Sequence, residues 1–271
     1  MTTTAPAEPA VTVAGGAGPP RRRTPIVSTR TFYIAARVFR ELRRDVRTMF
    51  LYTISPTFVM VLTAGILHGY PQTFDRIGLI VLGLFPTAPT FLFAAFAIQR
   101  ERYRGNLEAL MTTPVSRLDI LIGYIIAFTV PAVAQIGMTL GVTYGLLDLH
   151  SAGSWWLVGL MALLSSVLGV SLGMFSANLA RNELQLTKVL AATAAPHLML
   201  SGLFRPHEKM VNWMQVLSDV APWRYAVAAV AELQHNAAPT RAMWVNLGVT
   251  VAIVVLLSSV TTGTVLRRRT A

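Results

Sequence analysis

Five histidines (His68, His150, His197, His207 and His235) and twelve carboxylates are the side chains of this chain with the greatest capacity for acid–base or metal chemistry. Their spacing does not support it. No H-E-x-x-H pair occurs, and the histidines are scattered without metal-ligand spacing. A G-x-x-x-x-G-K-[ST] phosphate loop is also missing, so the chain has no cradle of that kind for ATP. With 0 cysteines, disulfides, cysteine-ligated zinc and thiol nucleophiles are excluded. The chain reads as non-catalytic, with no cofactor bound by its own residues. What remains is a charged island, Gln99-Arg100-Glu101-Arg102-Tyr103-Arg104-Gly105-Asn106-Leu107-Glu108-Ala109-Leu110-Met111-Thr112-Thr113-Pro114, between two long apolar runs. Charges are costly in lipid, so the island belongs in water or against a partner protein.

The elements that position the island follow from composition. Hydrophobic residues make up 54% of the 271 and charged residues 13%, where a soluble domain carries about 25% charged. The mean hydropathy of +0.55 agrees. The expectation is an all-α integral membrane protein. At about 20 apolar residues per crossing, the spans are Met49–Leu67, Ile77–Ile98, Leu118–Leu147, Trp155–Ala177, Val189–Phe204 and Met243–Leu266. Six spans return both termini to one side. With the termini placed in the cytoplasm, 18 of the 23 basic residues and seven of the twelve acids fall on that side. The whole net charge of +11 then sits on one face, as the positive-inside rule requires. This placement explains the basic balance through topology and argues against nucleic-acid binding. The basic residues are 21 Arg and two Lys (Lys188 and Lys209), a bias resembling that of high-GC bacteria.

Residues 1–28 show no periodicity and read as a disordered cytoplasmic tail, and residues 267–271 read as a cytoplasmic tail at the other end. Arg21-Arg22-Arg23 has no apolar core behind it before Met49, so a cleaved signal is not expected. From 29 to 48 the pattern is amphipathic, with an apolar stripe at Phe32, Ala35, Phe39, Leu42 and Val46 and arginines opposite. It reads either as an interfacial helix on anionic lipid or as a connecting helix that also touches a cytoplasmic partner. The transmembrane domain then occupies 49–266. Between spans five and six, Met210–Val220 and Trp223–Leu233 are apolar but too short to cross, and Ala221-Pro222 separates them. The two readings are a re-entrant outer hairpin and an amphipathic surface loop.

Few polar residues interrupt the spans. Gln135 reads either as helix-to-helix glue or as a residue of the substrate pathway. His197, beside Pro196, reads either as a helix-to-helix hydrogen bond or as a substrate contact. Phe58, Phe85, Phe91, Phe93 and Phe96 either line a pathway for a greasy solute or face lipid.

From Glu101 the island reads E-R-Y-R-G-N-L-E-A-L, and from Thr113 the chain reads T-P-V-S-R-L-D-I-L-I-G-Y. Both stretches resemble the type-2 ABC transporter permeases. There the segment between spans two and three reads like E-R-E-R-G-T-L-E-x-L and then T-P-[VL]-S-R-L-[DE]-I-L-x-G-K. Tyr103, Asn106 and Tyr124 depart from that pattern. After span five, Ser201-Gly202, Pro206, Glu208 and Trp213, then Pro222 and Tyr225, resemble the family's S-G-x-x-x-P-x-E-x-x-P-x-W and P-x-x-Y.

The resemblance implies a permease in a bacterial inner membrane, driven by a separate nucleotide-binding subunit present in two copies that holds ATP and Mg. It implies a second permease copy or a sister subunit, and an exported molecule that is amphipathic or apolar, with polysaccharide or glycolipid as the alternative. A secondary transporter would want acids at the midplane, and none sits there. The resemblance makes the island a coupling helix. Glu101, Arg102, Arg104 and Glu108 would form charged contacts, and Leu107 and Leu110 would pack on one face. Gly105 would lie within the helix and Pro114 would stop it. Without the resemblance, the island also reads as a solvated loop.

A cysteine-free chain makes the orientation directly testable. Single cysteines at His150 and Lys209 are expected to react with an impermeant thiol reagent in intact cells, and one at Asn106 only after lysis. The reverse pattern would overturn the orientation.

Overall fold

In the computed structural model the described residues are 29–105 and 115–267. The tail 1–28, residues 268–271, and Leu107, Glu108, Leu110 and Pro114 of the island lie outside the described residues.

Among the described residues the regular structure is entirely helical. Ten α-helices follow in order: α1 Thr29–Arg44, α2 Val46–Ile66, α3 Pro71–Leu84, α4 Thr87–Tyr103, α5 Arg117–Gly145, α6 Trp155–Leu179, α7 Glu183–Leu200, α8 Asn212–Val220, α9 Pro222–Ala231 and α10 Arg241–Arg267. Single 3-10 turns lie at His207–Lys209 and Glu232–Gln234. Five helical runs are long and apolar enough to cross a membrane: Val46–Ile66, Pro71–Tyr103, Leu118–Gly145, Trp155–Leu179 and Arg241–Gly263. The fifth expected span, Val189–Phe204, falls on the 18-residue α7, which is not one of the five. Its first turns carry Glu183, Gln185 and Lys188, and its far half holds Pro196 and His197, which dilute its apolar character.

The sequence pattern needs adjustment in three places. The amphipathic run does not continue to 48. The Asp45 carboxylate accepts from the Thr48 N–H at 3.1 Å and from the Thr48 hydroxyl at 2.6 Å, so a new helix starts at Val46. The buried stripe of α1 is Thr31, Ile34, Ala35 and Val38, with Phe39 and Leu42 half-buried beside it. Phe32 and Val46 of the expected stripe are exposed, because the face of α1 that matters packs on α5. There a methyl at Gly123 would stand 2.7 Å from Ile34 Cγ2. The second span is also longer than expected. It is a bent pair, α3 and α4, running from Pro71 to Tyr103 with the break at Phe85 and Pro86. Proline lacks the N–H that would continue the ladder.

The core is built on α4 and α6. Ser165, Gly169, Gly173 and Ala177 form a small-residue stripe on α6, all buried. A methyl on Gly169 would stand 2.5 Å from the Thr87 carbonyl oxygen, and one on Gly173 would stand 2.3 Å from that of Phe91. These glycines let two backbones touch, as small-xxx-small stripes do inside membranes. Gly169-Val170-Ser171-Leu172-Gly173 also spells the G-x-S-x-G string of a nucleophile elbow. Here it lies mid-helix, with the Ser171 hydroxyl donating to Val167 O at 3.1 Å, so it packs rather than reacts.

The two short helices after α7 break at Ala221-Pro222 as expected, yet they differ in kind. Trp223, Ala226, Val227, Ala229 and Val230 of α9 are buried. A methyl on Gly83 of α3 would collide with Val230. Trp213, Val216, Leu217 and Val220 of α8 are exposed. Protein covers α9, whereas α8 presents its apolar face outward.

Gly173→Leu should separate α4 from α6. A loss of about 1–3 kcal/mol is expected from overpacking, read as a lower temperature of aggregation in detergent than wild type and Gly137→Leu. Gly137 has open space around a Cβ. Equal thermal profiles for the two variants would refute the close approach.

Candidate functional site at the charged end of α4

The run from Pro71 to Tyr103 has 33 residues. At 1.5 Å per residue it is about 50 Å long, against a hydrocarbon core of about 30 Å. The excess puts a charged turn beyond the apolar layer, at the end that carries Arg100, Glu101 and Arg102. The first half of the island is thus the last turn of α4 rather than a loop. Gly105 closes it at φ +68°, the left-handed conformation that suits glycine after a helix end. Its N–H bonds Arg102 O at 3.1 Å.

This turn is clamped from two sides. Arg37 of α1 donates from Nη2 to both oxygens of Glu101, at 3.0 Å each. The Glu101 side chain is 6% exposed and that of Arg37 39%. One turn along α1, Glu41 pairs with Arg104. Arg100 stands 3.9 Å from Asp45. The Thr48 hydrogen bonds hold the Asp45 carboxyl below its ordinary value, so it stays ionised. On the other side, Arg102 donates to Ala177 O at 2.8 Å and to Asn178 Oδ1, satisfying acceptors at the end of α6.

The helix after the island is tied to the same assembly. Ser116 and Asp119 form a reciprocal capping box at the start of α5, with Ser116 Oγ accepting from Asp119 N at 3.1 Å. The other oxygen of Asp119 accepts from the buried Thr31 hydroxyl of α1 at 2.7 Å. Asp119 is a residue the sequence reading passed over, although Ser116-Arg117-Leu118-Asp119 is a legible S-x-x-[DE] cap. The structure therefore draws Glu101 and Arg102 inward, into contacts within the chain. Tyr103 and Arg104 stay exposed.

The residues read as a candidate substrate pathway divide. Phe85, Phe91 and His197 gather around Trp223 of α9. The Phe91 ring meets that indole edge-on at 6.3 Å, and the His197 ring lies 5.8 Å from it. An apolar cavity of about 350 Å³ opens between Leu84, Phe85, Ala88, Ala194, Leu198 and Trp223. His197 Nδ1 lies 2.7 Å from Thr193 O, so its hydrogen bond is within α7 and not between helices. Phe58 is not part of this group and is exposed on α2. Gln135 is fully buried in α5, and both of its amide atoms lack a partner among the described residues. One turn on, Thr139 bonds Thr57 of α2 at 2.8 Å and supplies the link between those helices. Trp223 itself was missed, although it lies inside the Pro222–Tyr225 motif.

Residues 29–235 match the family model described as ABC-2 type transporter. Among curated proteins, the chain is 30% identical over 153 residues to the linearmycin resistance permease protein LnrN of Bacillus subtilis, covering 55% of this chain and 38% of that one. It is 22% identical over 167 residues to the probable multidrug ABC transporter permease YbhR of Escherichia coli, covering 62% and 45%. It is 27% identical over 149 residues to the inner membrane transport permease YhhJ of the same species, covering 55% and 40%. The matched stretches thus span less than half the length of each relative.

The clamp can be measured by a double-mutant cycle. Arg37→Met and Glu101→Gln should each lower thermal stability, and the double variant should lose less than the two singles together. The expected coupling is about 1 kcal/mol, in the lower range for groups sharing a charged, part-buried contact. Additive losses would show that the pair carries no specific energy.

Proposed function

The chain belongs to the ABC-2 type transporter family, and we propose that it is the membrane subunit of an ATP-driven exporter whose coupling element begins at the end of α4. The observation that carries this reading is the double clamp on that end. Arg37 and Glu41 hold it to α1, and Arg102 ties it to α6. Because α4 and α6 also touch backbone to backbone, a push at Tyr103–Gly105 moves α1, α4 and α6 together, as a rigid-body transition needs.

The driving force comes from a separate nucleotide-binding subunit, which supplies ATP and Mg. Two such subunits act on two permease copies, either identical or paired with a sister chain. Exposed Tyr103 and Arg104, with Leu107, Glu108 and Leu110 beyond them, form the docking element. Glu101 and Arg102 position it. The chain sits in the inner membrane of a bacterium with both ends and the coupling element in the cytoplasm.

The exported molecule is amphipathic or apolar. Support comes from the cavity at Phe85 and Trp223, whose walls are nearly all hydrocarbon. A polysaccharide would leave its hydroxyls unsatisfied there. The relatives named for resistance and multidrug transport point the same way.

Leu107→Asp and Arg104→Glu should insert and fold normally but fail to couple. Export of an apolar dye by the chain expressed with its ATPase should fall at least about tenfold, the effect of about 1.4 kcal/mol at a docking contact. Co-purification of the ATPase should weaken in parallel. Full export by both variants would sink the coupling role.

A further inference from the structure

A basic cleft of about 530 Å³ opens between α1 and the charged end of α4. Arg37, Arg40, Arg44, Arg100 and Arg104 line it, with Glu41 and Asp45. Glu101 neutralises Arg37, Glu41 neutralises Arg104, and Arg100 stands 3.9 Å from Asp45. Arg40 and Arg44 have no carboxylate partner among the described residues. They stand four residues apart, on one face of α1. Positive charge is therefore in excess here, and an anion placed among these guanidinium groups relieves their repulsion.

A second, narrower cavity of about 70 Å³ adjoins the first and shares Glu41, Asp45 and Arg100 with it. Val38, Leu42, Phe93, Phe96, Ala97 and Tyr124 form most of the rest of its wall, and Thr48 and the Arg37-paired Glu101 complete it. The site thus has a cationic mouth and an apolar floor. It also lies at a membrane boundary. α2 starts at Val46, next to Asp45, and Phe50 and Leu51 already present exposed apolar surface, 60% and 59%.

We propose that this cleft binds one anionic phospholipid. Its phosphate lies against Arg40 and Arg44, in the forked geometry that guanidinium offers to phosphate. Its apolar end enters the slot at Phe93 and Phe96. Free phosphate would use only the mouth, and an acidic protein segment would leave the apolar slot unfilled. The ligand that uses both parts is amphipathic and anionic, and the lipid leaflet beside α2 supplies it. A lipid held there bridges α1 and α4, the two helices whose contact orders the charged turn.

The test is native mass spectrometry of the full chain, purified from nanodiscs and exchanged into detergent with phosphatidylglycerol or phosphatidylcholine. One phosphatidylglycerol per chain should be retained, in preference to phosphatidylcholine. Arg40→Gln with Arg44→Gln should weaken retention about thirtyfold, the effect of two basic residues facing an anionic headgroup. Arg40→Lys with Arg44→Lys should restore part of it. Ala97→Leu, which fills the slot without altering charge, should weaken retention as well and decides the matter should the glutamine pair fail to fold. Equal retention of the two lipids would overturn the proposal. So would displacement of lipid by millimolar inorganic phosphate, which marks a plain anion site. A glutamine pair that releases the ATPase while keeping its lipid would reassign the cleft to a protein partner. Retention is read without an export assay, so it stands apart from the transport reading.

Discussion

The contact between α4 and α6 is the constraint on which the other features rest. Inside a membrane, lipid tails are as apolar as leucine, so burying apolar side chains does not by itself drive helices together. Close packing has to do it. Gly169 and Gly173 remove the side chains that would keep α6 away from the carbonyls of Thr87 and Phe91. With these backbones in contact, the end of α4 lies beside the end of α6. Arg102 can then reach Ala177 O and Asn178.

A second level of organisation is polar and lies where the spans leave the apolar layer. Arg37–Glu101, Glu41–Arg104 and Thr31–Asp119 all join α1 to the helices on either side of the island. Exposed pairs of this kind contribute little in water. Glu101 and Asp119 are exceptions, because their carboxylates are buried and would be costly to leave unpaired. The result is an α1 that forms part of the assembly through its buried stripe and keeps arginines free on another face. The same arrangement borders the basic cleft and the slot at Phe93 and Phe96 that adjoins it.

Much of this was legible from residue types alone. The apolar runs, the interruption at Ala221-Pro222 and the family motifs around Glu101–Leu110 and Thr113–Tyr124 are local properties of the chain. Ser116 with Asp119 spelled a cap, whereas Gly105, expected within a helix, ends one instead. Other features were misjudged for identifiable reasons. The stripe of α1 was placed on Phe32 and Val46 because periodicity shows that a face exists but not which neighbour covers it. The second span was ended at Ile98 because charge marks where lipid stops, whereas the helix continues through Tyr103 for as long as its carbonyls find donors. Phe58 and Phe91 look alike as letters, yet one is exposed and the other is buried against Trp223.

The sequence by itself determined that the chain is helical, crosses a membrane and belongs with the ABC-2 type permeases. Hydropathy, charge placement and short motifs act over a few turns and need no partner to be read. Only the tertiary structure decided which charges face inward and which remain available. Glu101 and Arg102 lie one residue apart in the same motif as Arg104, but the first is held by a residue 64 positions away and the second by an acceptor 75 positions away. A carboxylate or guanidinium is paired or free according to what packing brings within about 3 Å, and packing here is set by two glycines on a distant helix.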